Sequence, residues 1–522
     1  MSQYLNPGNE RFKEVINSDI YVDKTELILY TNSVISKMNK YMCVSRPRRF
    51  GKSVTAHMLE AYYSRGCDSK EIFGQFKLAQ SDDYEKHLNK YNVISLNIQE
   101  FLSRSKSMDE MIARINKLVM RDIKKLYPDI DYFDDNELSQ SMSDIYDETN
   151  DKFIVIIDEW DCIFREYKKD KSSQEQYLDF LRDFFKDKVY ISLAYMTGIL
   201  PVKKYGTHSA LNMFDEFSMT NPKQLARFVG FTQSEVHELC ERFGRNEEEM
   251  KEWYNGYYFS DIGAIYNPRA VFEATLSGFY DTYWNQTETF EALKIYIDLD
   301  FDGLRDSIIS MLAGERVKID TRSFANDMVT MNNYQDVLTL LVHLGYLAYD
   351  WEKEEVFIPN KEISKEYVTA IRNSSWGEVI KCVRQSEQLL KNIWNLDNES
   401  VAKGIETAHF ETSYLQYNDE NALSYTISLG LYAARNYYTI FRELPSGKGF
   451  ADMIFIPKAK HTDKPALVVE LKWDKSAKGA VSQILEKQYC DSLKDYTGEI
   501  LLVGVNYDKK TKVHECEIIT VS

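Results

Sequence analysis

Residues 41–63 constrain the fold more than any other stretch of the chain. Tyr41-Met42-Cys43-Val44 is an apolar run of the kind that forms a buried strand, and Val54 to Tyr63 places Met58, Leu59 and Tyr62 on one side of a helix. Between them runs Arg46-Pro47-Arg48-Arg49-Phe50-Gly51-Lys52-Ser53. A strand, a glycine turn and a helix in that order aim backbone N–H groups inward at the helix N-terminus, where the positive end of the dipole also favours an anion. Gly51, Lys52 and Ser53 then supply the end of a phosphate-binding loop: a lysine for the terminal phosphates and a hydroxyl for magnesium. Arg46 stands where the general GxxxxGK[ST] pattern has its first glycine.

A second signal lies downstream. Phe153-Ile154-Val155-Ile156-Ile157 is a strand apolar on both faces, and it ends in Asp158-Glu159. Asp158 can hold magnesium through water, and Glu159 can polarise an attacking water. Val93 to Asn97 reads as another strand, Glu100 to Tyr127 as a helical stretch, and Val189 to Met196 as a buried strand ending in Thr197-Gly198. This alternation predicts a three-layer α/β domain.

Tyr21-Val22-Asp23-Lys24-Thr25, RPRRFGKS, IIDEWD and Thr197-Gly198 together resemble the bacterial AAA-ATPase-like family, whose members often carry a C-terminal nuclease domain of the PD-(D/E)XK superfamily. The likeness continues through Trp253-Tyr254-Asn255-Gly256-Tyr257 and Tyr266-Asn267-Pro268 to the C-terminus. It implies ATP at Arg49, Phe50, Gly51, Lys52, Ser53 and Val54, with Asp158 beside it and Mg²⁺ on Ser53 and Asp158. It also gives Thr197 the place of a γ-phosphate sensor, and the segment around Tyr21 a place beside the nucleotide. From the residues alone, Asp23 or Thr25 reads as a helix N-cap. Arg165, Arg227 and Arg269 are candidate arginine fingers among which the sequence does not choose.

The C-terminal part carries a second chemical pattern. Ala451-Asp452-Met453-Ile454-Phe455-Ile456-Pro457 and Ala466-Leu467-Val468-Val469-Glu470-Leu471-Lys472-Trp473 read as neighbouring strands. The pleat puts Glu470 and Lys472 on one face, and a half-buried acid and lysine at the end of an apolar strand need a reason. Asp452 and Glu470 can hold magnesium through hard oxygen ligands, with Lys472 placed to position water or neutralise charge. The pattern resembles the PD-(D/E)XK core, with Asp452, Glu470 and Lys472 in its three named positions. Glu420, at the start of the preceding helix, matches an acid that this superfamily often supplies. Gln483, in Gln483 to Tyr489, matches its helix after the core, with a Gln-to-Tyr spacing longer than the QxxxY of RecB-like nucleases.

Between the two patterns the chain turns helical and aromatic. Thr232 and Glu235 form a capping box, and the aromatic clusters near Trp253 and Tyr266 read as packing between subdomains. Val337 to Leu347, ending at Gly345, followed by two short strands, is how a winged helix ends; its wing is acidic. The expected fold is therefore α/β throughout. A P-loop NTPase domain (1–215) precedes a helical subdomain (216–300), a winged-helix-like and helical connector (301–400) and a PD-(D/E)XK nuclease-like domain (401–522).

Seven cysteines without a CxxC pair argue against a zinc site or a disulfide framework. The N-terminus lacks the pattern of an export signal and no apolar run is long enough to span a membrane, so a cytoplasmic protein with no membrane partner is expected. A net charge of −17 argues against tight, sequence-independent binding to duplex by the resting protein. The expected function is ATP binding and hydrolysis controlling a magnesium-dependent nuclease, with nucleic acid, DNA first, as substrate and a homo-oligomer or regulatory protein as further partner. The alternative is a non-enzymatic nucleotide switch whose nuclease-like domain is a binding platform.

Overall fold

The computed structural model describes residues 2–202, 211–259, 262–284, 293, 301, 303–325, 331–372, 377–411, 420–446, 449–486, 496 and 498–521. Two compact units divide the chain: Met1–Leu293 with Lys318–Glu366, and Lys294–Val317 with Tyr367–Ser522.

The first unit is built on five strands, β1 (Tyr41–Ser45), β2 (Asn92–Asn97), β3 (Phe153–Asp158), β4 (Ile191–Gly198) and β5 (Asp215–Phe217), in the order β2-β3-β4-β1-β5. Every pairing is parallel. Strands β1, β3 and β4 are buried along their whole length, which is why they read as unbroken apolar runs. Parallel strands bring their carboxyl ends to one edge, and there the chain places its polar residues. Helix Lys52–Tyr63 follows β1 across the loop Arg46 to Gly51 and starts two residues earlier than the sequence periodicity predicts.

Three local expectations change. The stretch from Glu100 to Tyr127 is two helices, Ile98–Ser103 and Met108–Leu126, because Ser107 caps the second by accepting from the Glu110 N–H. Strand β4 starts at Ile191, two residues later than the sequence predicts, and keeps Thr197 and Gly198 at its end, paired with Val44 and Ser45. Asp23 is no helix cap: the helix Leu27–Val34 begins after Glu26, and Asp23 instead accepts from the N–H groups of Thr25 (2.8 Å) and Lys77 (3.1 Å).

A small sheet of β6 (Phe231–Thr232), β7 (Tyr257–Phe259) and β8 (Gly263–Tyr266), ordered β6-β8-β7, follows with helices Gln233–Phe243, Glu247–Tyr254 and Pro268–Ser277. The capping box at Thr232 and Glu235 is present. Trp253, Tyr254 and Tyr266 pack with Val236, Leu239 and Ile20, so these aromatics are core. Helix Tyr334–Leu344 ends at Gly345 in the left-handed region (φ 87) and leads into a hairpin; β9 (Val317–Lys318), β10 (Ala348–Asp350) and β11 (Glu355–Phe357) are ordered β10-β11-β9. That is the helix and wing expected from the sequence.

The second unit pairs helices Gly377–Trp394, Asn398–Glu411 and Glu420–Gly430 with a sheet of β12 (Tyr438–Ser446), β13 (Gly449–Pro457), β14 (Ala466–Trp473), β15 (Ile500–Asp508) and β16 (Val513–Val521), in that order. Only β14 and β15 are parallel. Met453, Val469, Leu471 and Val505 face the three helices, while Ile454, Val468 and Leu502 face Val481 and Ile484 of helix Ala477–Glu486. No described helix is long and apolar enough to cross a membrane.

Candidate active sites

In the first unit, the two strands that flank β3 and one helix deliver polar side chains to Asp158. Ser53 donates its hydroxyl to Oδ2 of Asp158 at 2.6 Å. Oδ1 accepts from the Thr197 hydroxyl at 3.3 Å and from the Glu159 N–H at 3.0 Å. Asn97, which the register places beside Asp158, donates its side-chain amide to Oδ2 at 3.4 Å. Burial pushes the Asp158 carboxyl up, and the Ser53 hydrogen bond pulls it back. Sequence reasoning passed over Asn97; its signal was the same as that of Thr197, a polar residue closing an apolar strand.

The loop before Ser53 is folded for anions. Arg49 (φ 69) and Gly51 (φ 90) are both left-handed, which turns successive N–H groups to one side. Nothing lies within 4 Å of the point where a Cβ on Gly51 would sit, so space is open above the loop. Gly51 is the N-cap of helix Lys52–Tyr63 and has no side chain to satisfy the first N–H groups, which have no intrahelical partner. Lys52 is buried and donates Nζ to the Pro47 carbonyl at 3.0 Å. Burial lowers its proton affinity, while Glu159, Asp158 and Asp161 restore part of it.

A cavity of about 870 Å³ opens over this loop. Lys52, Ser53 and Glu159 line it together with Val22, Val54, Phe231 and Phe272, so its lining is both polar and apolar. Asp158 and Thr197 do not line it; Asp158 meets the cavity through Ser53. Lys24 ties two walls together: Nζ bonds both carboxylate oxygens of Glu235 (2.6 and 2.7 Å) and the Arg227 carbonyl (2.7 Å). Arg49 donates to the Tyr283 carbonyl at 2.6 Å, and the Phe50 ring is buried edge-on against Tyr257.

Arg46 does not fill the loop. Its guanidinium is fully buried, donates to the carbonyls of Ser45 (2.9 Å) and Phe217 (2.8 Å), and lies 5.3 Å from the Phe259 ring centre. Burial pushes it down to about 10. The residue that departs from the glycine pattern thus cross-ties β1 and β5. Of the three arginine candidates, Arg165 binds Glu159 and lies 3.3 Å from Asp161. Arg269 lines the cavity and pairs with Glu273, and Arg227 lies over Phe228.

The second unit gathers its acids differently. One step beyond the pairing of Met453 with Val469 in β13 and β14, Asp452 comes level with Glu470. Oδ2 of Asp452 accepts the Leu471 N–H at 2.7 Å. Glu470 and Lys472 are both buried, and Lys472 donates Nζ to Oε1 of Glu470 at 2.8 Å. Gln483, on helix Ala477–Glu486, donates its side-chain amide to that same oxygen. Leu471 turns to the opposite face, into the main core. Glu420 opens helix Glu420–Gly430, and its side chain lies outside the described residues, as do residues 487–489 of the expected Gln-to-Tyr stretch.

Two residues of this site were not legible beforehand. Gly504 is the register partner of Glu470, and a Cβ there would stand 2.4 Å from the Ala477 carbonyl. Only glycine lets the helix that carries Gln483 approach β15 this closely. Asn506 is paired with Lys472, is buried, and accepts the Lys475 N–H at 3.0 Å. Among the described residues, no group of three or more His, Cys, Asp or Glu converges as a metal cage. Each site instead offers one or two hard carboxylates, the donor set that magnesium uses when it keeps several waters.

Residues 7–207 match the model of the predicted AAA-ATPase (AAA-ATPase-like) family, and residues 420–517 match that of the PD-(D/E)XK nuclease superfamily. A curated relative, described as an uncharacterized protein in the vnfD 5′ region of Azotobacter chroococcum mcd 1, is 22% identical over 291 residues, which are 54% of each chain. The chain thus spans about half the length of that relative. A structure of C. elegans PCH-2 matches at 12% identity over 64% of this chain and 71% of that one, with a TM-score of 0.22, too low to bear on the fold. The chain carries an AAA-ATPase-like domain at its N-terminal end and a domain of the PD-(D/E)XK nuclease superfamily at its C-terminal end.

Proposed function

We propose that the protein binds and hydrolyses ATP in the first unit and uses that cycle to control a magnesium-dependent nuclease in the second, with DNA as the first substrate class to test. The observation that supports it most is the convergence of Asp452, Glu470, Lys472 and Gln483 on one sheet face, in a chain whose other unit leaves the N-terminus of helix Lys52–Tyr63 without a side-chain cap. In the ATP site, the N–H groups of the loop and Lys52 bind the phosphates, while Ser53 and Asp158 hold the ion that accompanies them. Glu159 orients the attacking water, and Thr197 and Asn97 fix Asp158.

In the nuclease site, Asp452 and Glu470 would hold magnesium, which supplies a more acidic bound water and charge stabilisation at the scissile phosphate. Lys472 neutralises developing negative charge, and Gln483 orients the carboxylate of Glu470. Glu420 is a further candidate acid for this site. Cys43, Cys67, Cys162, Cys240 and Cys516 are free, which suits a reducing cytoplasm.

A nucleotide switch without turnover is the second reading, and one observation favours it: Glu159 is bound by Arg165 rather than held toward Ser53. Phosphate release and cleavage of DNA and RNA separate the two. With Mg²⁺ present, wild type releases phosphate and cuts, Lys52→Ala loses phosphate release, and Glu470→Gln loses cutting alone. A wild-type protein that binds ATP, releases no phosphate and cuts no nucleic acid establishes the switch.

A further inference from the structure

We propose that Arg165 is a positioning residue that holds Glu159 while the terminal-phosphate position is vacant and passes its guanidinium to that phosphate when a nucleoside triphosphate binds. The inference rests on the reading of the cavity as an ATP site. Glu159 sits at φ 55, a left-handed conformation that a non-glycine residue keeps only where its surroundings hold it. Its carboxylate is engaged by Arg165, from the short helix Cys162–Glu166 that follows.

The other side of Arg165 is anchored. Its Nε lies 3.3 Å from Oδ2 of Asp161, which is fully buried and accepts the Leu200 N–H at 2.8 Å. Glu159, by contrast, is 24% exposed and lines the cavity. Arg165 is therefore a guanidinium with one fixed carboxylate and one exchangeable one. It lines the same cavity as Lys52 and Ser53, close enough for its charge to act on the Lys52 ammonium. A guanidinium binds phosphate oxygens through paired N–H groups as well as it binds a carboxylate, and a terminal phosphate carries more charge than Glu159. A triphosphate can take Arg165 from Glu159 and free the carboxylate to face water. A diphosphate leaves the pair intact, so one contact both reports the terminal phosphate and releases the group that acts on it.

Equilibrium binding of ATPγS and of ADP, each with Mg²⁺, to the full-length chain tests this without turnover. Arg165→Gln is expected to shrink the preference for ATPγS over ADP about tenfold, the worth of one charged hydrogen bond, with Arg165→Lys restoring part of it. Glu159→Gln leaves Arg165 intact and removes its competitor, so the preference is expected to widen. In the double variant that widening disappears. A widening that persists without Arg165, a Glu159→Gln variant with an unchanged ratio, or an unchanged ratio in an Arg165→Gln protein that still binds ADP overturns the proposal. If the wild type binds neither nucleotide, the ATP-site reading itself fails and this falls with it, a result seen before any variant is compared.

Discussion

The two candidate sites place a lysine among carboxylates and use it in opposite ways. Lys52 donates to a backbone carbonyl, while Asp158 and Glu159 are served by a serine, a threonine, an asparagine and an arginine. Lys472 donates straight to Glu470. Topology explains the contrast. Three parallel strands and the helix after β1 bring separate residues to one edge, so each acid finds its own partner and the lysine donates to none of them. In the second unit the acid and lysine are two residues apart on one strand and share a face, so they must meet. On the proposed reading, the first site takes added negative charge and the second, with Asp452 alongside, an added cation.

The largest expected effects strike that contrast directly. Lys52→Ala should weaken ATP binding by about 10²-fold or more, read by calorimetry, since it removes a charged donor from a cradle of neutral ones. It should cost little stability, because the partner left behind is a carbonyl; about 1–3 kcal/mol is the range for such a loss. Glu470→Ala should behave oppositely. It leaves the buried Lys472 ammonium without its carboxylate, at a cost of about 3–5 kcal/mol, visible as a lower urea midpoint for the second unit. Equal stability losses in the two variants would remove the distinction.

A smaller effect is expected at Gly504. Gly504→Ala presses a methyl group against the Ala477 carbonyl and should cost about 1–3 kcal/mol while lowering cleavage more than Glu470–Lys472 pairing alone predicts, because the helix carrying Gln483 must retreat. A variant that is destabilised yet cuts normally would show that Gln483 does not need this approach.

The smallest effects concern pH, and here too the units differ in sign. Burial raises Glu362 of the first unit to about 8, so its protonated form is favoured on folding. Its contribution is full below the ordinary carboxyl range and lost as pH rises through 8. Burial lowers His409 and His514 of the second unit, 3.0 Å apart, to about 4. Stability from that pair is full above pH 6.5 and lost as pH falls from 6.5 toward 4, because the unfolded chain takes up protons that the folded one refuses. Thermal melts should show Glu362→Gln gaining on wild type between pH 6 and 9, and His514→Asn gaining between pH 7 and 4.5.

Much of the fold was legible because it rests on runs of residues. The apolar strands around Tyr41, Phe153 and Ala466, and the helix ending at Gly345, announce themselves by length and by what closes them. The break at Ser107 was legible in principle, since a serine followed by Asp109 and Glu110 is a helix start. Asn97, Asn506 and Gly504 were not, because a lone amide or glycine acquires its meaning only from the strand beside it. Asn97 matters because β2 lies next to β3, and Gly504 because β15 lies next to β14. Arg46 was misleading for the same reason: its sequence position belongs to the loop, but its side chain belongs to the joint between β1 and β5. The sequence offered Arg165, Arg227 and Arg269 as candidate arginine fingers without choosing among them, and the pairing of Arg165 with Glu159 was not legible, because it depends on the short helix that follows β3.

The central claim is that nucleotide in the first unit governs cutting by the second. Its most direct test is the single-turnover cleavage rate of wild type and Lys52→Ala with no nucleotide, ADP, ATP or ATPγS, with Mg²⁺ throughout and Glu470→Gln as the blank. The account predicts that the wild-type rate changes between ADP and ATPγS, that Lys52→Ala cuts at one rate in all four conditions, and that Glu470→Gln does not cut. A wild-type rate that is the same in all four conditions would contradict it.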